Sequence, residues 1–178
     1  MKQFADVRVE SFDHEDSHLR QAALSQLLSR EALARYSGLE LLQRTLTGEL
    51  PSPPMCQTLG FFLVEVELGG VVFEANPRVD YMNRLGSVHG GWAATVLDSC
   101  LGCAIHSMLP LGKAYATLDI RVSFVRAIAP DCGPMRAEGK VINVGRRVAT
   151  AEGRLSDSTG RLFAHASSTC LIVEIDDK

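Results

Sequence analysis

The chain has 178 residues, 46% of them apolar and 22% charged, with a formal net charge of −3. That length holds one domain with a sizeable core. The weakly acidic balance excludes the basic footprint expected of a protein that binds nucleic acid or an anionic membrane surface.

The first eighteen residues, MKQFADVRVESFDHEDSH, are acidic and lack the apolar stretch of a signal peptide, which predicts a cytoplasmic protein. Residues 1–50 predict an N-terminal helical extension. His18 to Ser29 carries Leu19, Ala22, Ala23, Leu24, Leu27 and Leu28 close to helical spacing. Arg30 to Leu46 repeats that pattern, with Gly38 placed to split it. The run Gly48 to Pro54 contains three prolines, and it predicts a turn or linker because proline cannot continue a helix.

The main domain is expected over residues 51–178, where the hydrophobic period changes. Phe61 to Leu68 and Val71 to Ala75 flank Gly69-Gly70, a hairpin signature. A long helix is predicted from Val88 to Leu109, closed by Pro110 and Gly112. Asp98 and His106 interrupt its apolar stretch, which therefore reads as a buried helix and not a membrane span. Four strands follow, near residues 114–127, 133–144, 147–156 and 161–175, separated by turn residues. In the first of these, Leu118, Ile120, Val122 and Phe124 alternate with Asp119, Arg121 and Ser123.

The predicted order is β-β-α-β-β-β-β. A helix apolar on nearly every side must be covered on nearly every side. One such helix and six antiparallel strands predict an α+β hotdog fold, a six-stranded sheet curved around a central helix.

Cys56, Cys100, Cys103, Cys132 and Cys170 are odd in number and scattered, which predicts free thiols in a reducing compartment. Cys100-x-x-Cys103 falls in mid-helix, away from the N-terminal dipole that stabilises a thiolate, so small-residue packing is the expected role. His89, His106 and His165 lack metal-ligand spacing, and no metal is expected.

Candidate chemistry concentrates in Asn83 to Asp98. From Leu85 through Gly112 the only formal charge is Asp98. A carboxylate among apolar neighbours has a raised pKa unless something polar meets it. Asp98 reads either as a working group or as a buried acid satisfied by Thr95 or Ser99. Gly90-Gly91 opens the helix, where backbone N–H groups are free and the dipole favours developing negative charge. That is the specification of an oxyanion hole, with a plain turn as the alternative. His89, at the same positive helix end, is expected to be neutral, either as a site residue or as a structural one.

Spacing adds a constraint. Gly90 and Asp98 are eight residues apart, which is about 12 Å along a helix axis and about 80° around it. Two groups acting on one bond must both lie within about 3 Å of it. If both act, one must come from a second copy of the chain, so the spacing predicts a symmetric dimer with shared sites.

The run N-x-x-G-x-x-H-G-G, followed by Asp98 and by Ala116-Thr117-Leu118-Asp119-Ile120, resembles the PaaI-like acyl-CoA thioesterases of the hotdog 4-hydroxybenzoyl-CoA thioesterase superfamily. The likeness continues through Val144-Gly145-Arg146-Arg147, Gly153-Arg154-Leu155 and Asp157-x-x-Gly160-Arg161-Leu162, and covers about Leu59 to Val173. The resemblance implies hydrolysis of an acyl-CoA, aryl or medium-chain acyl-CoAs included, to free acid and CoA without metal or organic cofactor. It implies a homodimer, and beyond that a dimer of dimers.

Position by position, Gly90 matches the backbone donor that polarises the thioester carbonyl, and Asp98 matches the nucleophile or general base. Asn83 matches a side chain that orients the carbonyl or the leaving thiolate. His89 matches the residue that holds the loop and Asn83 in place. Thr117 matches a hydroxyl that positions water beside the acid. Gly91, Arg126, Arg146 and Arg147 are candidate contacts for CoA, the arginines because a guanidinium matches phosphate geometry. Solvated turn charges remain the alternative for each arginine. Trp92, Met108 and Tyr115 are candidates to line an acyl pocket.

Two other functions share the fold. A hydroxyacyl-thioester dehydratase needs a histidine and an acid acting together on the acyl chain. A non-catalytic acyl-CoA-binding regulator would use the N-terminal helices on DNA, but residues 1–50 hold eight acids against six Lys and Arg, a poor surface for phosphates.

Overall fold

The computed structural model describes residues 27–175. The helix expected over His18–Ser29 therefore lies, up to residue 26, outside the described residues, and residues 27–29 are not helical. A four-residue helix α1 (Arg30–Leu33) is followed by α2 (Gly38–Leu46). Ser37 caps α2. Its hydroxyl accepts from the Glu40 N–H, and the Glu40 carboxylate accepts from the Ser37 N–H at 2.9 Å, a reciprocal pair that satisfies two otherwise unpaired donors.

Gly38 docks α2 on the rest of the protein. Its N–H donates to the Leu109 carbonyl at 3.0 Å. A Cβ at this position would stand 1.7 Å from the His106 carbonyl oxygen, an approach only glycine permits.

The proline run does not end as a linker. Pro54 starts a short helix, α3 (Pro54–Leu59), which Gly60 stops in the left-handed conformation at φ 64°. Proline fits the first helical position because its missing N–H has no partner there anyway.

Strands β1 (Phe61–Glu67), β2 (Gly70–Ala75), β3 (Lys113–Phe124), β4 (Met135–Val144), β5 (Val148–Asp157) and β6 (Leu162–Glu174) form one antiparallel sheet in the order β1-β2-β4-β5-β6-β3. The central helix α4 (Gly90–Ser107) packs against all six strands. This is the hotdog fold. Val96, Leu97, Leu101, Ala104 and Ile105 of α4 are fully buried, and each large apolar side chain so buried stabilises the fold by about 1.5–3 kcal/mol.

Coverage of α4 is incomplete. Ala94, Thr95, Asp98, Ser99, Cys103 and His106 are only half-buried, and they form one stripe along the helix. This stripe is where the protomer differs from a helix enclosed on every side.

Strand β3 lies at a sheet edge, so one row of its backbone N–H and C=O groups has no strand beside it. Its pairing with β6 shifts between Thr117 and Asp119, which leaves Leu118 as a bulge. Regular alternation would place Leu118 beside Ile120 on the inner face and Thr117 outside. The bulge reverses this. Thr117 sits opposite the buried Cys170, and Leu118 is 59% exposed.

Candidate active site

The N-terminus of α4 is shaped by His89. Its main chain is extended, and its Nδ1 accepts the Gly91 N–H at 2.9 Å. An accepting Nδ1 carries no proton. The same bond occupies the Gly91 donor, which is therefore not available to a ligand. The Gly90 N–H has no acceptor among the described residues. It opens on a cleft of about 370 Å³ whose lining includes Asn83, Phe124 and Arg126.

Asn83 closes its own loop. Its Oδ1 accepts from the N–H groups of Leu85 (2.8 Å) and Ser87 (3.4 Å), and its Nδ2 donates to Ser87 Oγ at 3.0 Å. Ser87 and Leu85, not His89, supply the hydrogen bonds that fix it. His89 instead ties the loop through its N–H to the Tyr81 carbonyl at 2.7 Å.

Asp98 lies two turns further along α4, on the half-buried stripe. Neither Thr95 nor Ser99 meets it. Thr95 returns its hydroxyl to the Gly91 carbonyl at 2.9 Å. The partner comes from the sheet: Thr117 Oγ1 donates to Asp98 Oδ1 at 3.1 Å. The carboxylate is half-exposed beside an exposed sheet edge, so it is not sealed inside the core.

Tyr115 packs behind this pair. Its ring lies so close to the helix that a Cβ on Gly102 would fall 2.4 Å from it. Burial raises both its hydroxyl and the Cys103 thiol, Cys103 to about 12. Cys100 is wholly buried, with its thiol directed to the carbonyls of Val71 and Ala137, and burial raises it too. Neither thiol of the Cys-x-x-Cys pair is ionised near neutral pH.

The arginines divide between the two ends of the sheet. The Arg126 guanidinium donates to the Leu162 carbonyl at the start of β6. Arg146 and Arg147 are exposed on the β4–β5 turn, where the Arg147 carbonyl accepts from the Ile172 N–H near the end of β6. About 30 Å of strand separates these ends. Val148, next to Arg147, pairs with Leu171, which pairs with Ala116. Arg146 and Arg147 therefore lie toward the Asp98–Thr117 end, and Arg126 lies with Gly90.

One protomer thus brings Asn83, Gly90 and Arg126 to one cleft and Asp98 and Thr117 together elsewhere. It does not join the two groups. Of the pocket candidates, Tyr115 lines an apolar cavity of about 320 Å³. Trp92 is buried, stacked on Tyr81 at 6.1 Å, and donates its indole N–H to the Leu59 carbonyl. Met108 sits at the far end of α4, against Gly69. A concavity of about 840 Å³ lies among Arg136, Glu138, Lys140, Glu152 and Arg154 on the sheet. None of the candidate residues lines it, and part of its charge is taken up in exposed pairs, Arg136 with Glu65 at 2.8 Å and with Glu138 at 2.9 Å. Among the described residues no group of three or more His, Cys, Asp or Glu is placed to hold a metal ion, and no helix is long and apolar enough to cross a membrane.

The Thioesterase superfamily model matches residues 85–164, a span that contains both Gly90 and Asp98. The chain is 39% identical over 88 residues to a candidate esterase of Halobacterium salinarum, a match covering 44% of this chain and 56% of that protein. It therefore spans little more than half the length of that relative. A candidate thioesterase of Ralstonia eutropha, described as phenylacetic acid degradation-related, is 30% identical, with a TM-score of 0.67 over 73% of this chain and 98% of that one. A hypothetical thioesterase of Streptococcus pneumoniae, solved with coenzyme A, is similar in fold, with a TM-score of 0.59 at 21% identity over 64% of this chain and 86% of that one.

Proposed function

Because the chain belongs to the PaaI-like thioesterases of the hotdog thioesterase superfamily, we propose that it hydrolyses an acyl-CoA thioester to a carboxylic acid and free CoA, in a site shared by two copies. The observation that carries this reading is the Asp98 carboxylate, half-exposed and held on one oxygen by Thr117, on the helix whose first N–H is unpaired among the described residues.

In this reading Asp98 is the general base. Thr117 fixes Oδ1, which leaves Oδ2 to take a proton from water as that water attacks the thioester carbonyl. The carbonyl oxygen becomes an oxyanion, stabilised by the Gly90 N–H of the second copy at the positive end of its helix. Collapse of the tetrahedral intermediate breaks the C–S bond. The CoA sulfur leaves with the proton that Asp98 had taken, and the carboxylate is restored.

The division of the site supports a dimer. Gly90 and Asp98 lie on one rigid helix about 12 Å apart, and β3, which carries Thr117, presents an unpaired edge with Leu118 exposed on it. Pairing that edge with a second copy satisfies its backbone groups. Arg146 and Arg147 from the acid's protomer and Arg126 from the other are the cations available to the CoA phosphates. The dimer would pair again into a dimer of dimers. The free thiols of Cys56, Cys100, Cys103, Cys132 and Cys170 suit the reducing cytoplasm.

The test is Asp98→Asn, with thiol release from acyl-CoA as the readout. Hydrolysis should fall by about 10²–10⁴-fold while the elution volume of the dimer stays unchanged. Wild-type turnover in this variant would remove Asp98 from the mechanism.

A further inference from the structure

We propose that the apolar cavity between the N-terminal extension and the central helix binds the hydrocarbon chain of the substrate, and that the extension sets acyl-chain length. The proposal rests on the thioesterase reading for the identity of the ligand, and on the geometry of the cavity for everything else.

The lining of the cavity, about 320 Å³, is of two kinds. One is hydrocarbon: Leu33, Leu41 and Leu42 from α1 and α2, Met55 from α3, and Phe61 and Phe73 from the sheet. The other is formed by Ser99, Cys103 and His106 of α4 and by Tyr115 of β3. Those three α4 residues belong to the half-buried stripe that also holds Asp98. Ser99 is its chain neighbour, and Tyr115 stands two residues before Thr117 on the same strand. Ser99 and Tyr115 therefore bring this part of the lining next to the Asp98–Thr117 pair. A thioester whose carbonyl lies at Asp98 can direct its acyl chain along the stripe past Tyr115 and beneath α2.

The lining is matched to hydrocarbon. Its titratable groups stay neutral at pH 7, because burial raises the thiols of Cys56 to about 11 and Cys103 to about 12, raises Tyr115 and lowers His106. The volume sits at the low end of the range for ligand pockets. It is roughly twice that of an apolar cavity that takes up benzene, which leaves room for a chain on the order of ten carbons. The wall opposite the catalytic helix comes from residues 27–63, outside the span 85–164 that matches the superfamily. The catalytic helix lies within the matched span, and the wall facing it lies outside it.

Two measurements test this. In the first, acyl-CoAs from acetyl to dodecanoyl are compared by kcat/KM. The wild type should gain roughly fourfold per added methylene until the cavity is full, near ten carbons. Thr45→Trp, which fills the cavity from the α2 wall, should move the optimum to shorter chains and leave acetyl-CoA turnover unchanged. Met55→Trp, from the exposed rim, repeats the test should Thr45→Trp fail to fold. Superimposed profiles for wild type and variant overturn the cavity assignment and leave the thioesterase reading intact. In the second, decanoate is titrated while Tm is followed. A rise in Tm in the wild type that is lost in the variant supports the cavity even if no acyl-CoA is hydrolysed, an outcome that would overturn only the thioesterase reading. No rise in the wild type overturns the cavity.

Discussion

Thr117 reaches Asp98 because β3 is irregular. The hydroxyl donates to Asp98 Oδ1 at 3.1 Å, and the bulge at Leu118 is what turns Thr117 to the inner face, opposite Cys170. Bulges recur where a strand must re-aim one side chain. Here the re-aimed side chain meets the one acid on the central helix. A carboxylate so held has one oxygen committed and one free, which orients it toward a water molecule.

Thr117→Val keeps the shape of the side chain and removes the donor. Loss of a hydrogen bond to a carboxylate at a half-exposed site should lower kcat roughly tenfold and leave KM near its wild-type value. Thr117→Ser should retain most of the rate. Steady-state kinetics on the three proteins check this, and an unchanged kcat in Thr117→Val would make the hydroxyl incidental.

The contact between Gly102 and Tyr115 gives a stability prediction. A Cβ at residue 102 would stand 2.4 Å from the Tyr115 ring and 2.5 Å from its hydroxyl. Gly102→Ala should cost about 1–3 kcal/mol through overpacking, partly recovered in combination with Tyr115→Leu. Urea midpoints of the two single variants and the double variant measure the coupling.

His106 makes stability depend on pH. Burial lowers its pKa from the ordinary value of 6.5, and a hydrogen bond to the Lys113 backbone opposes the shift only in part. Below pH 6.5 the unfolded chain takes up a proton that the folded protein resists, so this contribution is complete above 6.5 and is lost as pH falls through the lowered folded-state value. Tm should fall between pH 7 and pH 5, and His106→Gln should flatten that decline.

Much of this was legible in the sequence. Gly69-Gly70 marked the β1–β2 turn, and Pro110 with Gly112 marked the end of the long helix, each through backbone chemistry that leaves few alternatives. The short helix at Pro54 was misread because proline forbids helix continuation and also favours helix initiation; Gly60 after Leu59 was the available signal for a stop. The bulge was hidden because the extra residue, Leu118, is itself apolar and keeps the alternation looking regular. Asp98 and Thr117 were each visible as candidates. Their contact depends on that bulge, and the hydrogen bonds within the Asn83 loop are equally a matter of three-dimensional geometry. Of the cavity only Tyr115 was visible as a candidate, since its walls are drawn from segments between Leu27 and Tyr115 that share no local pattern.

A mixed-dimer experiment tests the shared site most directly. Gly90→Pro removes the helix's first N–H at a position where proline is tolerated, and Asp98→Asn removes the acid. Each homodimer should be close to inactive. Unfolded together and refolded as a random mixture, half the dimers carry one of each chain, and each of these rebuilds one of its two sites, so about a quarter of wild-type activity should return. No recovery, with mixed dimers demonstrated by mass, would place the acid and the amide of a working site on a single chain and contradict the account.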